Sequence, residues 1–387
     1  RAPAPTWLRS HTTHVAQALR RKEYARPNTE PASLELRSLD VTLDHHQILR
    51  DISLSVLPGE LFVLLGGAGA GKSTLLRAFA GLDPVGSGEL WIDDREITHE
   101  AVNRRGVALM LQSFPLWTHM NVARNVAFGL RQEGLKRSKL RGRVEEELAT
   151  FGLSDFYHHL PRQLSPSQQQ RVALARTLIS GARVKLLDEP FSAQDAQLRE
   201  RLAGALKKRQ QQSAITTLLT TQDRREALRI ADRIALIYEG ELQQIGTPME
   251  LYDSPRNRYV AEYMGSANLI DGEIEYAGDQ PLFRTTNGMV IPLFDHLVKR
   301  ARIGSAMFRP HDLHIVSRDQ EPFGDQIRFN GRVEQIEFLG DTVRYCIDLA
   351  GEVVWMDLAR GCGQLNLNIG DQLVVGLDPA HIHILEN

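Results

Sequence analysis

The segment Gly66-Gly67-Ala68-Gly69-Ala70-Gly71-Lys72-Ser73 constrains this chain more than any other. It fits the pattern G-x-x-x-x-G-K-[ST] and lies between an apolar, strand-like run at residues 61–65 and a run of helical spacing at residues 73–81. A strand that turns through glycines into a helix aims successive backbone N–H groups, and the positive end of that helix, at one spot. A polyphosphate satisfies both. Lys72 adds a point charge for the β- and γ-phosphates, Ser73 a hydroxyl for Mg2+, and Thr74 continues the first helical turn. A chance glycine-rich turn would account for neither the lysine, the serine nor the preceding strand.

The surroundings agree with such a unit. Strand-like runs at residues 33–41, 52–56, 184–187, 216–220 and 234–238 alternate with helical spacing at 73–81, 141–151 and 168–178. That alternation predicts a largely parallel sheet with ligands at the carboxyl ends of its strands. At the end of the run 184–187 stand Asp188 and Glu189. With a phosphate loop in the same chain, Asp188 is expected to reach Mg2+ through its water shell, and Glu189 to polarise an attacking water as general base. After about residue 263 the texture changes to short β-rich runs separated by Gly, Asp, Asn and Pro, the pattern of a small β-barrel or sandwich. The domain expectation is therefore a basic extension over 1–32, an α/β nucleotide domain over 33–262 and an all-β domain over 263–387.

Composition narrows the function classes. A chain of 387 residues accommodates two or three domains. A formal net charge of -2 provides no overall electrostatic footprint for nucleic acid. The two cysteines, Cys346 and Cys362, lack metal-ligand spacing and suit a reducing compartment. No apolar run approaches the ~20 residues that span a bilayer, so work at a membrane would go through partners. Over residues 1–32, Arg1, Arg9, Arg20, Arg21, Lys22 and Arg26 outnumber Glu23 and Glu30, and no apolar core of a secretory signal is present. The segment reads as a disordered basic extension, with an Arg-rich targeting segment as the alternative.

Several further segments carry a family resemblance. Gln163-Leu164-Ser165-Pro166-Ser167-Gln168-Gln169-Gln170-Arg171-Val172-Ala173-Leu174-Ala175-Arg176 resembles the signature region of ABC-type ATPases, LSGGQ followed by QQRVALARA. Gln112-Ser113-Phe114 resembles their Q-loop, Ser192-Ala193-Gln194-Asp195 their D-loop, and Thr221-Gln222-Asp223 stands where they carry a switch histidine. Phe308-Arg309-Pro310-His311-Asp312 and the β-rich tail resemble the TOBE domain of importer ATPases for sulfate, iron, polyamines and sugars. The resemblance covers nearly everything after residue 32.

It implies a P-loop NTPase fold of ABC type, with a helical subdomain at about 114–160 and a small OB-like TOBE domain. It implies two such domains, in a homodimer or heterodimer, sandwiching two ATPs. Residues 66–74 and Leu43 would meet one nucleotide, and Ser165, Ser167 and Gln168 the nucleotide of the other subunit. Ser73, Asp188 and Gln112 would serve Mg2+, with Glu189, Gln112 and Gln222 as the catalytic set. The implied partners are transmembrane permeases and, indirectly, an extracellular or periplasmic solute-binding protein. The implied place is the cytoplasmic face of the inner (plasma) membrane.

The chain departs from the family pattern at Pro166 and Ser167 (usually glycines), Gln194 (usually leucine), Gln222 (usually histidine) and Leu43 (usually an adenine-stacking aromatic). Ser165 is a good N-cap, Pro166 suits the first helical position, and Gln168 completes an S-x-x-Q capping box, so a helix start is expected to survive. The N–H groups of Ser167 and Gln168 are expected to remain available to an anion, while the Ser167 Cβ crowds it. Gln222 can hydrogen-bond a phosphate but cannot carry a proton or a charge. Leu43 keeps apolar contact but loses the π face. These departures predict slow ATP hydrolysis. The alternative is a regulatory subunit that binds nucleotide with little turnover. A soluble ABC protein of repair or translation fits less well, because those usually carry two cassettes or a long insertion.

Overall fold

The computed structural model describes residues 30–131, 137–293, 303–316, 326–361 and 367–386. The basic extension, up to residue 29, and Cys362 lie outside them; Cys346 is buried. The chain divides into two compact units, one ending at Leu242 and the other beginning at Gln243.

The first unit opens with a hairpin, β1 (Leu34–Leu43) and β2 (His46–Val56). Its turn residues Asp44 and His45 both take positive φ, 47° and 65°, as a two-residue turn that follows the strand twist requires. Strand β2 therefore starts six residues before the apolar run at 52–56 that the sequence displays. With β4 (Ser87–Ile92) and β5 (Arg95–Glu96) the hairpin forms a four-stranded sheet in the order β2-β1-β4-β5.

The second sheet carries the chemistry. Its members are β3 (Leu61–Leu65), β6 (Val107–Met110), β7 (Val184–Asp188), β8 (Thr216–Thr221), β9 (Arg233–Tyr238) and β10 (Glu241–Gly246), in the order β10-β9-β3-β8-β7-β6. From β9 to β6 the pairing is parallel. Every residue of β3, β7 and β8 is buried, which is why these strands read as continuous runs rather than alternations.

Helix α1 (Lys72–Ala80) follows β3 and buries Leu75, Leu76, Ala78, Phe79 and Ala80. It stops at Gly81, whose φ of 80° lets the N–H groups of Gly81 and Leu82 turn back onto the Ala78 and Arg77 carbonyls. The buried Arg105 guanidinium closes the same end by donating to the carbonyls of Ala78 and Phe79 at 2.9 and 2.8 Å.

Between residues 114 and 160 the described residues contain two α-helices, α2 (Val122–Arg131) and α3 (Arg137–Thr150). Helix α2 packs on α4 (Pro166–Ile179). Asn125, fully buried, fastens the loop before α2: its amide donates to the carbonyls of Trp117, Met120 and Asn121 and accepts from the Trp117 N–H. The Trp117 ring lies 4.0 Å from Phe128 and carries the Arg176 guanidinium at 4.6 Å. The unit also contains α5 (Ala196–Ser213) and α6 (Arg224–Ile230).

In the second unit the short helices α7 (Pro248–Asp253) and α8 (Arg258–Met264) precede two antiparallel sheets. One contains β11 (Asn268–Ala277), β12 (Gln280–Thr285), β13 (Val290–Pro292), β14 (Ile303–Phe308) and β20 (His383–Glu386). The other contains β15 (His314–Val316), β16 (Ile327–Phe338), β17 (Thr342–Leu349), β18 (Glu352–Ala359) and β19 (Gln372–Leu377). Phe283, Phe308, Ile347, Met356, Val375 and Ile384 join both sheets in one core. Buried Arg309 ties the helices to this body by donating to the carbonyls of Ala261, Ser266 and Tyr252 at 2.9, 3.1 and 2.6 Å.

Candidate nucleotide site

Four neighbouring parallel strands end at one edge of the central sheet, and each delivers a different part of the site. Strand β3 runs into the loop 66–73, β8 into Gln222, β7 into Asp188 and Glu189, and β6 toward Gln112. Register fixes their relation: Leu65 pairs with Thr221, Asp188 with Thr220, and Met110 with Leu187. Residues far apart in sequence meet because the strand order brings their carboxyl ends together, where ligands of open α/β sheets bind.

The loop can take only glycine at two of its positions. A Cβ on Gly66 would lie 2.3 Å from the Ile237 carbonyl oxygen, and one on Gly71, at φ 95°, would lie 2.6 Å from Leu49 Cδ2. Gly67, Ala68, Gly69 and Ala70 complete the turn, and Gly71 starts α1 without any side-chain cap. Among the described residues, the N–H groups of Lys72, Ser73 and Thr74 therefore have no side-chain acceptor, and they sit at the positive end of the helix. The Lys72 ammonium, 5% exposed, donates to the Gly66 and Gly67 carbonyls at 2.9 and 2.7 Å. Burial lowers its pKa, and the charges of Glu189 and Asp188 oppose that shift. A desolvated cation beside uncapped amides fits a polyphosphate better than any neutral ligand.

Asp188 is buried and its Oδ1 accepts from the Ser73 hydroxyl at 2.9 Å and from Thr220 Oγ1 at 2.7 Å. Two hydroxyls on one buried carboxylate oxygen form a hard-oxygen cluster of the kind Mg2+ prefers. Glu189 takes φ 43°, a left-handed conformation that costs a non-glycine residue about 1–3 kcal/mol. Its N–H holds that geometry by donating to both the carbonyl and the hydroxyl of Thr220, each at 3.1 Å. The Gln112 and Gln222 amides converge on Glu189 Oε2 at 3.1 and 3.4 Å. All three side chains expected to serve catalysis thus meet at one carboxylate oxygen.

The other expected residues are placed as follows. Leu43 ends β1 opposite His46 in the four-stranded sheet. Ser165 caps α4: its Oγ accepts from the Gln168 N–H at 3.2 Å while Gln168 Oε1 accepts from the Ser165 N–H at 2.8 Å. One expectation changes here, because the Gln168 N–H is taken by the cap and is not free for an anion. The Ser167 hydroxyl turns onto Gln194 Oε1 at 2.5 Å within the same chain. The residues the sequence reading passed over are Thr220, which holds both acidic residues, and Gln170, fully buried with bonds to the Glu189 carbonyl and Ser192. Thr220 sits inside a run, Thr-Leu-Leu-Thr-Thr, that reads only as strand, and Gln170 inside a glutamine run that reads only as polar helix.

Comparison with known proteins identifies the family. The family model described as ABC transporter matches residues 49–192, and the model described as TOBE domain matches residues 306–385. The spermidine/putrescine import ATP-binding protein PotA of Pseudomonas fluorescens is 35% identical over 365 residues, 92% of this chain and 99% of that protein. The Fe(3+) ions import ATP-binding protein FbpC of Agrobacterium fabrum is 37% identical over 324 residues, 82% of this chain and 88% of that protein. A dimeric ATP-binding cassette in a post-hydrolysis state with ADP and Pi superimposes with a TM-score of 0.52 at 27% identity, covering 56% of this chain and 98% of that one.

The fold is that of a P-loop ATPase of ABC type. The chain belongs to the ABC transporter ATP-binding subunits of importer type that carry a C-terminal TOBE domain. The alternative of a regulatory subunit finds no support among these relatives.

Proposed function

We propose that this chain binds Mg-ATP at residues 66–74 and hydrolyses it slowly to drive solute import through transmembrane permease subunits. The observation that carries the reading is the buried Lys72 ammonium beside the uncapped start of α1, with Asp188 bridging Ser73 and Thr220. Mg2+ would be held by Ser73, Asp188 and Gln112, and when bound it neutralises charge between the β- and γ-phosphates. Glu189 takes a proton from the attacking water, and Gln112 and Gln222 orient its Oε2 by donating to it.

Turnover is slow because Gln222 offers a neutral amide where a histidine would offer charge. One well-placed electrostatic group is worth about 10²–10³ in rate. Two copies, or one copy and a related subunit, pair across their nucleotides at the cytoplasmic face of the membrane. Among the described residues no helix is long and apolar enough to cross a membrane, so attachment comes from the permeases, which also meet an external solute-binding protein. Relatives with different cargoes are similar to this chain to the same degree, which suits a motor whose cargo is chosen by its partners.

The test is steady-state ATPase activity of the complex reconstituted with its permeases. Gln222→His is expected to raise kcat at least about tenfold. An unchanged or lower rate shows that the switch position is compensated elsewhere, and a parent complex without any turnover returns the chain to the regulatory reading. Recovery of no integral membrane protein with the chain from native membranes would count against the permease partners.

A further inference from the structure

We propose that Gln194 is a positioning residue that acts as one unit with Ser167 and ties the start of α4 to the acidic pair at the end of β7. Each residue, taken alone, is a departure from the family pattern. In space they are partners. Ser167 Oγ donates to Gln194 Oε1 at 2.5 Å, and Gln194 Nε2 donates back to the Ser167 carbonyl at 3.0 Å. The second Nε2 hydrogen goes to Gln170 Oε1 at 2.8 Å. Gln194 is 5% exposed and Gln170 is fully buried, so the bond between them forms where water does not compete, while the two bonds to half-buried Ser167 lie at the edge of that region.

From this hub two paths reach the groups that meet at Glu189 Oε2. Gln170 Nε2 donates to the Glu189 carbonyl at 3.2 Å and to Ser192 Oγ at 3.0 Å, while Gln170 Oε1 accepts from the Ala193 N–H at 3.1 Å. The Gln194 carbonyl accepts from Arg199 Nη2 at 3.1 Å, and Arg199 Nη1 bonds Asp223 at 2.8 Å. Asp223 follows Gln222 and caps α6. A shift of the first turn of α4 is therefore passed to the backbone that carries Glu189 and to the residue beside Gln222.

Returning one partner to the family residue breaks the unit. Glycine at 167 leaves the Gln194 side-chain oxygen, Oε1, without the Ser167 donor. Leucine at 194 takes the acceptor from Ser167 and one donor from Gln170. Returning both removes both polar partners together, so the losses should not add.

The experiment is a double-mutant cycle in the full-length chain with Ser167→Gly, Gln194→Leu and the pair. The kinetic arm rests on the ATPase reading above. Each single variant is expected to lower kcat about tenfold while KM for ATP stays within about twofold, because the Lys72 cradle is untouched, and the pair is expected to recover most of that loss. The structural arm is independent of turnover. Hydrogen exchange at residues 189–195 is expected to rise in Ser167→Gly, and melting temperatures of the cycle should show coupling. Additive melting shifts, or unchanged exchange at 189–195, overturn the tie. Coupled melting with kcat unchanged in both singles overturns the positioning role. A parent chain without turnover counts against the ATPase reading, and the exchange and melting results still decide the tie.

Discussion

At Gly71 and at Ser165 the chain passes from a loop into a helix, and the two starts are finished in opposite ways. Before α1 the N-cap is a glycine in left-handed geometry that offers no side chain, so the amides of the first turn face outward with no side-chain acceptor. It could not be capped, because any Cβ on Gly71 meets Leu49. Before α4 the amides are almost all spent: Pro166 has none, that of Gln168 goes to Ser165 Oγ and that of Gln169 to the Ser165 carbonyl. Only the Ser167 N–H has no acceptor among the described residues. A helix start can stabilise its own chain or hold an anion, and the same four donors serve one purpose or the other. The loop before α1 leaves its donors unspent, the arrangement an anion site needs. The start of α4 is built chiefly for its own chain, and its coupling to Gln194 is what it offers the site.

The largest effect that separates the two starts is expected from Lys72→Ala. It removes the buried cation at the open start, and isothermal titration should show Mg-ATP affinity lost by at least about 10²-fold, as for truncating one partner of a desolvated charge pair. Unchanged affinity would move the nucleotide elsewhere and erase the comparison.

A third start, that of α6, sharpens it. Asp223 caps α6 by accepting from the Arg225 and Glu226 N–H groups at 2.9 and 3.3 Å. Burial raises the pKa of Asp223, but its bonds to Arg199 and to these amides outweigh that and hold it below the ordinary value. Burial, aided by the charge on Asp223, pushes Glu226 up to about 8. Below pH 4.5 Glu226 is protonated in both the folded and the unfolded chain. Between pH 4.5 and about 8 only the folded chain keeps the proton, so stability falls as pH rises through this window and is flat above it. Glu226→Gln should remove that slope. Denaturant unfolding is expected to give little gain near pH 4.5 and a gain on the order of 4 kcal/mol at pH 8, at about 1.36 kcal/mol per pKa unit. Equal effects at both pH values would place Glu226 outside the low-dielectric site.

The smallest effect is expected at the capped start itself. Ser165→Ala removes one half of the capping box and should cost about 1 kcal/mol in urea unfolding, with ATP affinity of the isolated chain unchanged. A larger loss of affinity than of stability would show that the α4 cap serves nucleotide after all.

Much of the site is written in contiguous residues. The loop at 66–73, the S-x-x-Q cap at Ser165 and Gln168, and the acidic pair after an apolar strand are all legible because each depends on spacings of a few residues. The helices at α1, α3 and α4 and most strands of both units follow from periodicity. The strands that were harder to see, β4, β5, β6, β10, β12, β15 and β20, are short or take up polar residues, such as Pro281 and Arg284 in β12, because their neighbours supply the burial.

The sequence by itself pointed to a polyphosphate: glycine, lysine and serine at fixed spacing, between an apolar run and a run of helical period, specify a strand, a tight turn and a helix start. It also determined that α4 begins at Pro166. What the departures at Ser167, Gln194 and Gln222 amount to was decided only in three dimensions. Ser167 and Gln194 are 27 residues apart, Asp188 and Thr220 are 32 apart, and Gln112 and Glu189 are 77 apart. Those pairs exist because the order β3-β8-β7-β6 brings four strand ends to one edge, and because a buried amide must find its partners wherever the fold places them.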